Sequence, residues 1–114
     1  MISDIFCKII AGEIPADVVY KNDDVLVIKD IAPQAPVHLL IIPVKHFTGL
    51  DDVAEHDEAL LGKMFHVAHD MAKKQNLDKG YRLIVNEGEH GGKLVPHLHI
   101  HLLGGKSLGS KIVK

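Results

Sequence analysis

The sequence predicts an α+β fold, an antiparallel sheet backed by helices. Apolar periodicity gives the order helix, three strands, long helix, two strands, without the regular strand–helix alternation of a parallel sheet. The run His97-Leu98-His99-Ile100-His101-Leu102-Leu103 alternates imidazoles with aliphatic side chains. That is the period of a strand with one face in a core and the other turned out.

Ser3 or Asp4 can cap a short helix over Ile5–Ile10, with Gly12 as its stop and Pro15 just beyond. Residues 18–20 and 25–28 are runs of Val, Leu, Ile and Tyr, and the Asn22-Asp23-Asp24 turn between them predicts a hairpin. Pro33 and Pro36 stiffen the loop that follows. Residues 37–42 are apolar apart from His38, end at Pro43, and predict a central strand. The long helix is expected over 53–75, with Asp52 and Glu55 as a capping box. Its buried stripe would be Leu60, Leu61, Met64, Phe65, Ala68, Met71 and Ala72, and Lys73 and Lys74 suit the dipole of its last turn. Gly80 opens a strand over 81–85. The loop 86–92 then leads to the histidine-bearing strand, and a charged, Gly-containing tail closes the chain.

A length of 114 residues bounds the chain to a single domain, 1–114, with one core. It is 46% hydrophobic and 25% charged, with a net charge of −2 and no long run of one sign. That argues against disorder and against non-specific binding to nucleic acid or an anionic membrane. Cys7 is the only cysteine, so neither an intramolecular disulfide nor a Cys-based metal motif is expected. The N-terminus lacks the basic start and long apolar stretch of a signal peptide, and no segment reaches the ~18 apolar residues of a membrane helix. A cytoplasmic location is expected.

Histidine is the outlier, nine residues in a chain without Trp. A rigid strand carrying three imidazoles suits acid–base or nucleophilic work; the plain alternative is a half-exposed strand with a wet histidine face. A metal site is the chemical rival. On a straight strand His97 and His101 stand ~13 Å apart, while Zn–N bonds are only ~2.1 Å. Three ligands on one metal would therefore need a bend and help from His38 or His46. His38 could itself be a core histidine bonded to backbone. His56, His66 and His69 read as surface residues of the long helix, and His46 and His90 as loop residues without an assigned role. Gly91-Gly92 could hold a phosphate on backbone N–H groups, although turns also use such pairs. Asp30, at a strand end, could bond a ribose diol.

Together these residues resemble the histidine triad (HIT) family, whose signature is His-φ-His-φ-His-φ-φ with φ apolar; 97–103 fits it at every position. The segments IFCKIIAGEIPADVVY, KDIAPQAPVHLLIIPVKH, YRLIVNEGEHGG and HLHIHLLGG are similar to the Hint branch, the nucleoside phosphoramidases. The resemblance implies a five-stranded antiparallel sheet with two helices, a homodimer, and hydrolysis of purine nucleoside phosphoramidates of the AMP-amine type at the α-phosphorus. By it, His99 is the nucleophile, His101 a proton donor or phosphate ligand, and His38 and His97 supporting residues. Asp30 binds ribose, and Phe6, Ile9, Ile28 and Ile31 form the base pocket beside Lys29. Asn86, Gly92, Lys93 and Leu94 contact phosphate or leaving group, the last two through backbone. No metal or cofactor is implied. A dinucleoside polyphosphate hydrolase of the same family and a nucleotide-binding regulatory module are the alternatives. The chain departs from the branch at Leu94, where many Hint proteins have Ser, at Pro96, where an aromatic is usual, and in its tail, which lacks the Trp-Pro-Pro ending of some animal members.

Overall fold

A computed structural model describes residues 4–110. Ser3 and residues 111–114 of the expected tail lie outside the described residues.

The elements are α1 (Ile5–Ile10), β1 (Val18–Lys21), β2 (Val25–Lys29), β3 (Val37–Pro43), α2 (Glu58–Lys74), β4 (Tyr81–Ile84) and β5 (Ile100–Gly104). The strands form one sheet in the order β1-β2-β3-β5-β4, and every neighbouring pair is antiparallel. β2 and β3 are nearly all apolar because the sheet is covered on both faces. Val25, Val27, Leu39, Ile41, Leu98, Ile100 and Leu102 point to one face, under Met64, Val67, Ala68, Met71 and Ala72 of α2. Leu26, Ile28, Leu40 and Ile42 point to the other, under Phe6 of α1. Each such aliphatic side chain gains roughly 1.5–3 kcal/mol from burial.

α1 is too short to persist alone. Asp4 caps it, accepting from the Cys7 N–H at 2.8 Å, and Phe6 pins it to the sheet.

The long helix begins at Glu58, later than the expected start at 53. Asp52 does not cap it: its carboxylate accepts from the Thr48 N–H at 2.6 Å, and residues 50–57 form two short 3-10 turns. The stripe is also corrected at one position. Phe65 is 49% exposed, and Val67 is buried instead, three residues on from Met64 and four before Met71.

The last strand is shorter than expected. Pairing starts at Ile100 rather than at His97. β4 stops opposite His101, and Pro43 of β3 has no N–H for a longer ladder. The face alternation nevertheless continues back through Leu98, whose N–H donates to the Phe47 carbonyl at 2.7 Å.

Candidate functional site

The α1 face of the sheet carries the histidines. His97 is not on a wet face: it has no exposed surface, and its Nε2–H donates to the Pro43 carbonyl at 3.1 Å. His99 is buried as well, with Phe6 edge-on to its ring. Its Nδ1 lies 2.6 Å from the His97 carbonyl oxygen. A carbonyl only accepts, so Nδ1 carries the ring proton and Nε2 keeps its lone pair.

The neighbouring tautomers follow from the same logic. The Gln34 N–H donates to His38 Nδ1 at 3.1 Å, so the His38 proton sits on Nε2. That N–H meets His101 Nδ1 at 2.9 Å. A neutral His101 then bears its proton on Nε2. β3 and β5 are adjacent strands with Leu40 opposite His101, which brings His38 within reach from the next same-face position. Asp30 follows β2, 3.4 Å from His38 Nε2 through one carboxylate oxygen, while the other accepts from the Ala32 N–H at 2.8 Å.

Burial pushes the His99 imidazole below the ordinary histidine range; nearby Lys93 acts in the same direction, and the His97 carbonyl opposes both. His101 is lowered to about 4, first by burial and then by His99 and His38. Both rings are therefore neutral at pH 7.

His99 and His101 open onto a cavity of about 340 Å³. Phe6, Ile9, Ile28 and Leu40 give it an apolar side, and Asp30, Asn86 and the two imidazoles a polar one. An apolar cavity with a few convergent polar groups suits a small ligand with an apolar body and polar handles. Lys29, Ile31, Gly92 and Leu94 also line it. Ile31 and Leu94, 97% and 93% exposed, mark its rim. Ile5, Ala32, Leu40 and Val95 are wall residues that the sequence did not single out.

The Gly91-Gly92 loop is organised differently from the expected phosphate cradle. A Cβ on Gly91 would lie 2.1 Å from the Glu87 carbonyl oxygen, and Gly92 has φ +77. The Gly92 N–H donates to the Glu89 carbonyl and the Lys93 N–H to the Gly88 carbonyl, so both groups are used inside the loop. The Lys93 side chain bonds Glu87 and the Thr48 carbonyl and is absent from the cavity wall. The imidazoles and Asn86 remain as side-chain polar groups on that wall of the cavity.

Among the described residues, two side-chain groups could hold a metal. In Asp30–His38–His101 the His38 proton already fills the gap between the two rings. The other, Asp4–Cys7–His46–His97, gathers residues that the sequence scatters. The spacing of Asp4 and Cys7, three apart at a helix start, was its only visible signal. His46 comes from the loop after β3 and gave none.

The HIT domain family model matches residues 11–108. The purine nucleoside phosphoramidase of Escherichia coli is 49% identical over 106 residues, 92% of this chain and 89% of that protein. An uncharacterized HIT-like protein of Synechococcus elongatus is 49% identical over 91% of both chains. Among solved structures, a HIT family hydrolase from Clostridium thermocellum superposes with a TM-score of 0.95 at 42% identity, covering 99% of each chain. A histidine triad protein from Clostridium difficile gives 0.92 at 40% identity, covering 98% of each.

Proposed function

The chain belongs to the HIT domain family, and we propose that it hydrolyses purine nucleoside phosphoramidates through a nucleotidyl-histidine intermediate on His99. The observation that carries this reading is the His99 tautomer. Its Nδ1–H is held by the His97 carbonyl, its ring is kept neutral by burial, and its remaining nitrogen serves the cavity.

The nucleoside lies in the cavity, with the base against Phe6, Ile9 and Ile28 and the ribose hydroxyls at Asp30. His99 Nε2 attacks the α-phosphorus as the P–N bond breaks, and the amine leaves with a proton. His101 Nε2–H donates to a phosphoryl oxygen, which stabilises the charge gathered there. Bound phosphate raises the proton affinity of His101, which takes a proton from solvent; the resulting imidazolium gives one proton to the departing amine and returns to the neutral ring. Water then attacks phosphorus and gives up a proton to solvent, the N–P bond breaks, and neutral His99 returns. No step passes through a metal.

We extend the reading to a cytoplasmic homodimer. Among the described residues no helix is long and apolar enough to cross a membrane. Phe65 and His69 lie one turn apart on α2, and His69 bonds the Tyr81 hydroxyl at 3.0 Å; this half-exposed face would meet its copy.

A substrate panel tests the activity. Adenosine phosphoramidates should turn over far faster than diadenosine polyphosphates. The reverse order would favour the polyphosphate hydrolase, and tight AMP binding without turnover of either would favour a regulatory module.

A further inference from the structure

The loop between β4 and the histidine segment meets the cavity at its two ends. Asn86 lines the wall at one end, Gly92 and Leu94 at the other. Between them, Glu87 and Lys93 turn their side chains onto the segment after β3. Lys93 Nζ donates to Glu87 Oε1 at 3.1 Å and also to the Thr48 carbonyl. The same Glu87 oxygen accepts from the Leu50 N–H at 3.2 Å. An ion pair from one loop thus takes an acceptor and a donor from the backbone of the other. The Lys93 side chain is 11% exposed, whereas Lys29, Lys45 and Lys63 in their ion pairs are 57–61% exposed. Solvated pairs of the latter kind hold no fixed geometry; a nearly buried lysine with two acceptors does.

Gly49 shows how closely the two loops meet. A Cβ there would lie 2.6 Å from both Glu87 carboxylate oxygens and 2.8 Å from Lys93 Nζ. These atoms are the ends of side chains, so a methyl group would be accommodated by forcing the ion pair apart.

Both sides of this clasp are stiff. The Gly92 N–H donates to the Glu89 carbonyl at 3.0 Å and the Lys93 N–H to the Gly88 carbonyl at 3.2 Å, so the loop moves as one piece. On the other side, the Phe47 carbonyl accepts from the Leu98 N–H at 2.7 Å, between His97 and His99. The run 47–50 therefore joins the loop that carries Asn86 and Leu94 to the segment that carries His99.

We propose that Glu87 and Lys93 are positioning residues for the phosphoryl transfer: their clasp on Thr48 and Leu50 sets where Asn86 and Leu94 stand relative to His99. The role rests on the phosphoramidase reading of the cavity. Neither side chain lines the cavity, so both act through the groups they place.

The test uses the full chain and two readouts. Hydrogen exchange of the free protein reads the clasp alone. The Leu50 amide should be protected although its residue is 44% exposed. Lys93→Met, Glu87→Ala and Gly49→Ala should each remove that protection. Single-turnover hydrolysis of an adenosine phosphoramidate at saturation reads the consequence. Each of the three variants should lose about tenfold in rate, with a smaller change in AMP affinity. The Lys93→Met, Glu87→Ala double variant should be no slower than either single one, because both open the same clasp. Glu87→Gln, whose amide oxygen still accepts from both donors, should keep most of the rate. A freely exchanging Leu50 amide in the wild type would overturn the clasp, whether or not any variant folds. Rates within about twofold of wild type in all three variants would overturn the positioning role. A wild type with a protected Leu50 amide and no turnover would sink the phosphoramidase reading and the catalytic role with it, while the clasp itself stands on the exchange data.

Discussion

His99 Nδ1 stands 2.6 Å from the carbonyl oxygen of His97, two residues earlier in the chain. The bond assigns the proton on one ring nitrogen and frees the other, within a segment that has left the sheet ladder. His38 and His101 repeat the device across two strands at 2.9 Å. Proton positions in this site are thus dictated by backbone groups at both ends of the row, the His97 carbonyl and the Gln34 N–H.

Removing the second relay tests its role. His38→Ala leaves His101 Nδ1 without its donor, so the ring can take the wrong tautomer. Single-turnover rate should fall about fivefold, the equivalent of ~1 kcal/mol for one hydrogen bond, with AMP affinity changing less. An unchanged rate with weakened AMP binding would place His38 in ligand binding alone.

The pH dependence follows from the lowered imidazoles. Protonation takes the His99 lone pair, and burial delays that protonation to below the ordinary value of ~6.5. The acid limb of kcat/KM should lie below that value; a limb at or above it would contradict the burial argument. Stability moves the same way. The unfolded chain takes up these protons near ~6.5, whereas folded His101 does so only at about 4. Their contribution is therefore present in full above ~6.5 and lost as pH falls toward 4. Urea midpoints across that interval measure it.

Leu94→Ser places a hydroxyl at the rim of the cavity. It should raise the single-turnover rate at saturating substrate about fivefold for an alkylamine leaving group, the value of ~1 kcal/mol, and less for an activated one. A donor there helps only where proton demand develops on departure. An equal effect on both substrates would show that Leu94 does not face the leaving group.

Phe65→Glu should shift the sedimentation of the protein from dimer to monomer at micromolar concentration and leave the fold intact, since this ring is half exposed. A monomeric parent protein would refute the dimer outright.

Much of this was legible in the sequence. The strand alternation placed Leu98, Ile100 and Leu102 under α2 and the imidazoles opposite, because period two is a local property of extended backbone. Asp30, Asn86, His99 and His101, singled out from the sequence, line one cavity. The helix start was missed because Asp52 spends its carboxylate on the Thr48 N–H, a competing turn that propensity does not reveal. Phe65 was misplaced because apolar spacing does not separate a core stripe from a half-exposed face. The Asp4–Cys7–His46–His97 cluster joins four residues spread over 93 positions of separation, and only the assembled sheet brings them together. Loop N–H groups at Gly92 and Lys93 likewise looked free until the loop closed on itself.

The central claim is a covalent nucleotide on His99, and rapid-quench trapping tests it most directly. Mixed with an adenosine phosphoramidate, the wild-type protein should show a mass increase of one AMP within the first turnover, carried by the peptide that contains His99. His99→Ala should show none and lose at least a hundredfold in turnover, while binding AMP with the wild-type fold. Full turnover with no adduct in the wild type, or an adduct on any other residue, would contradict the account.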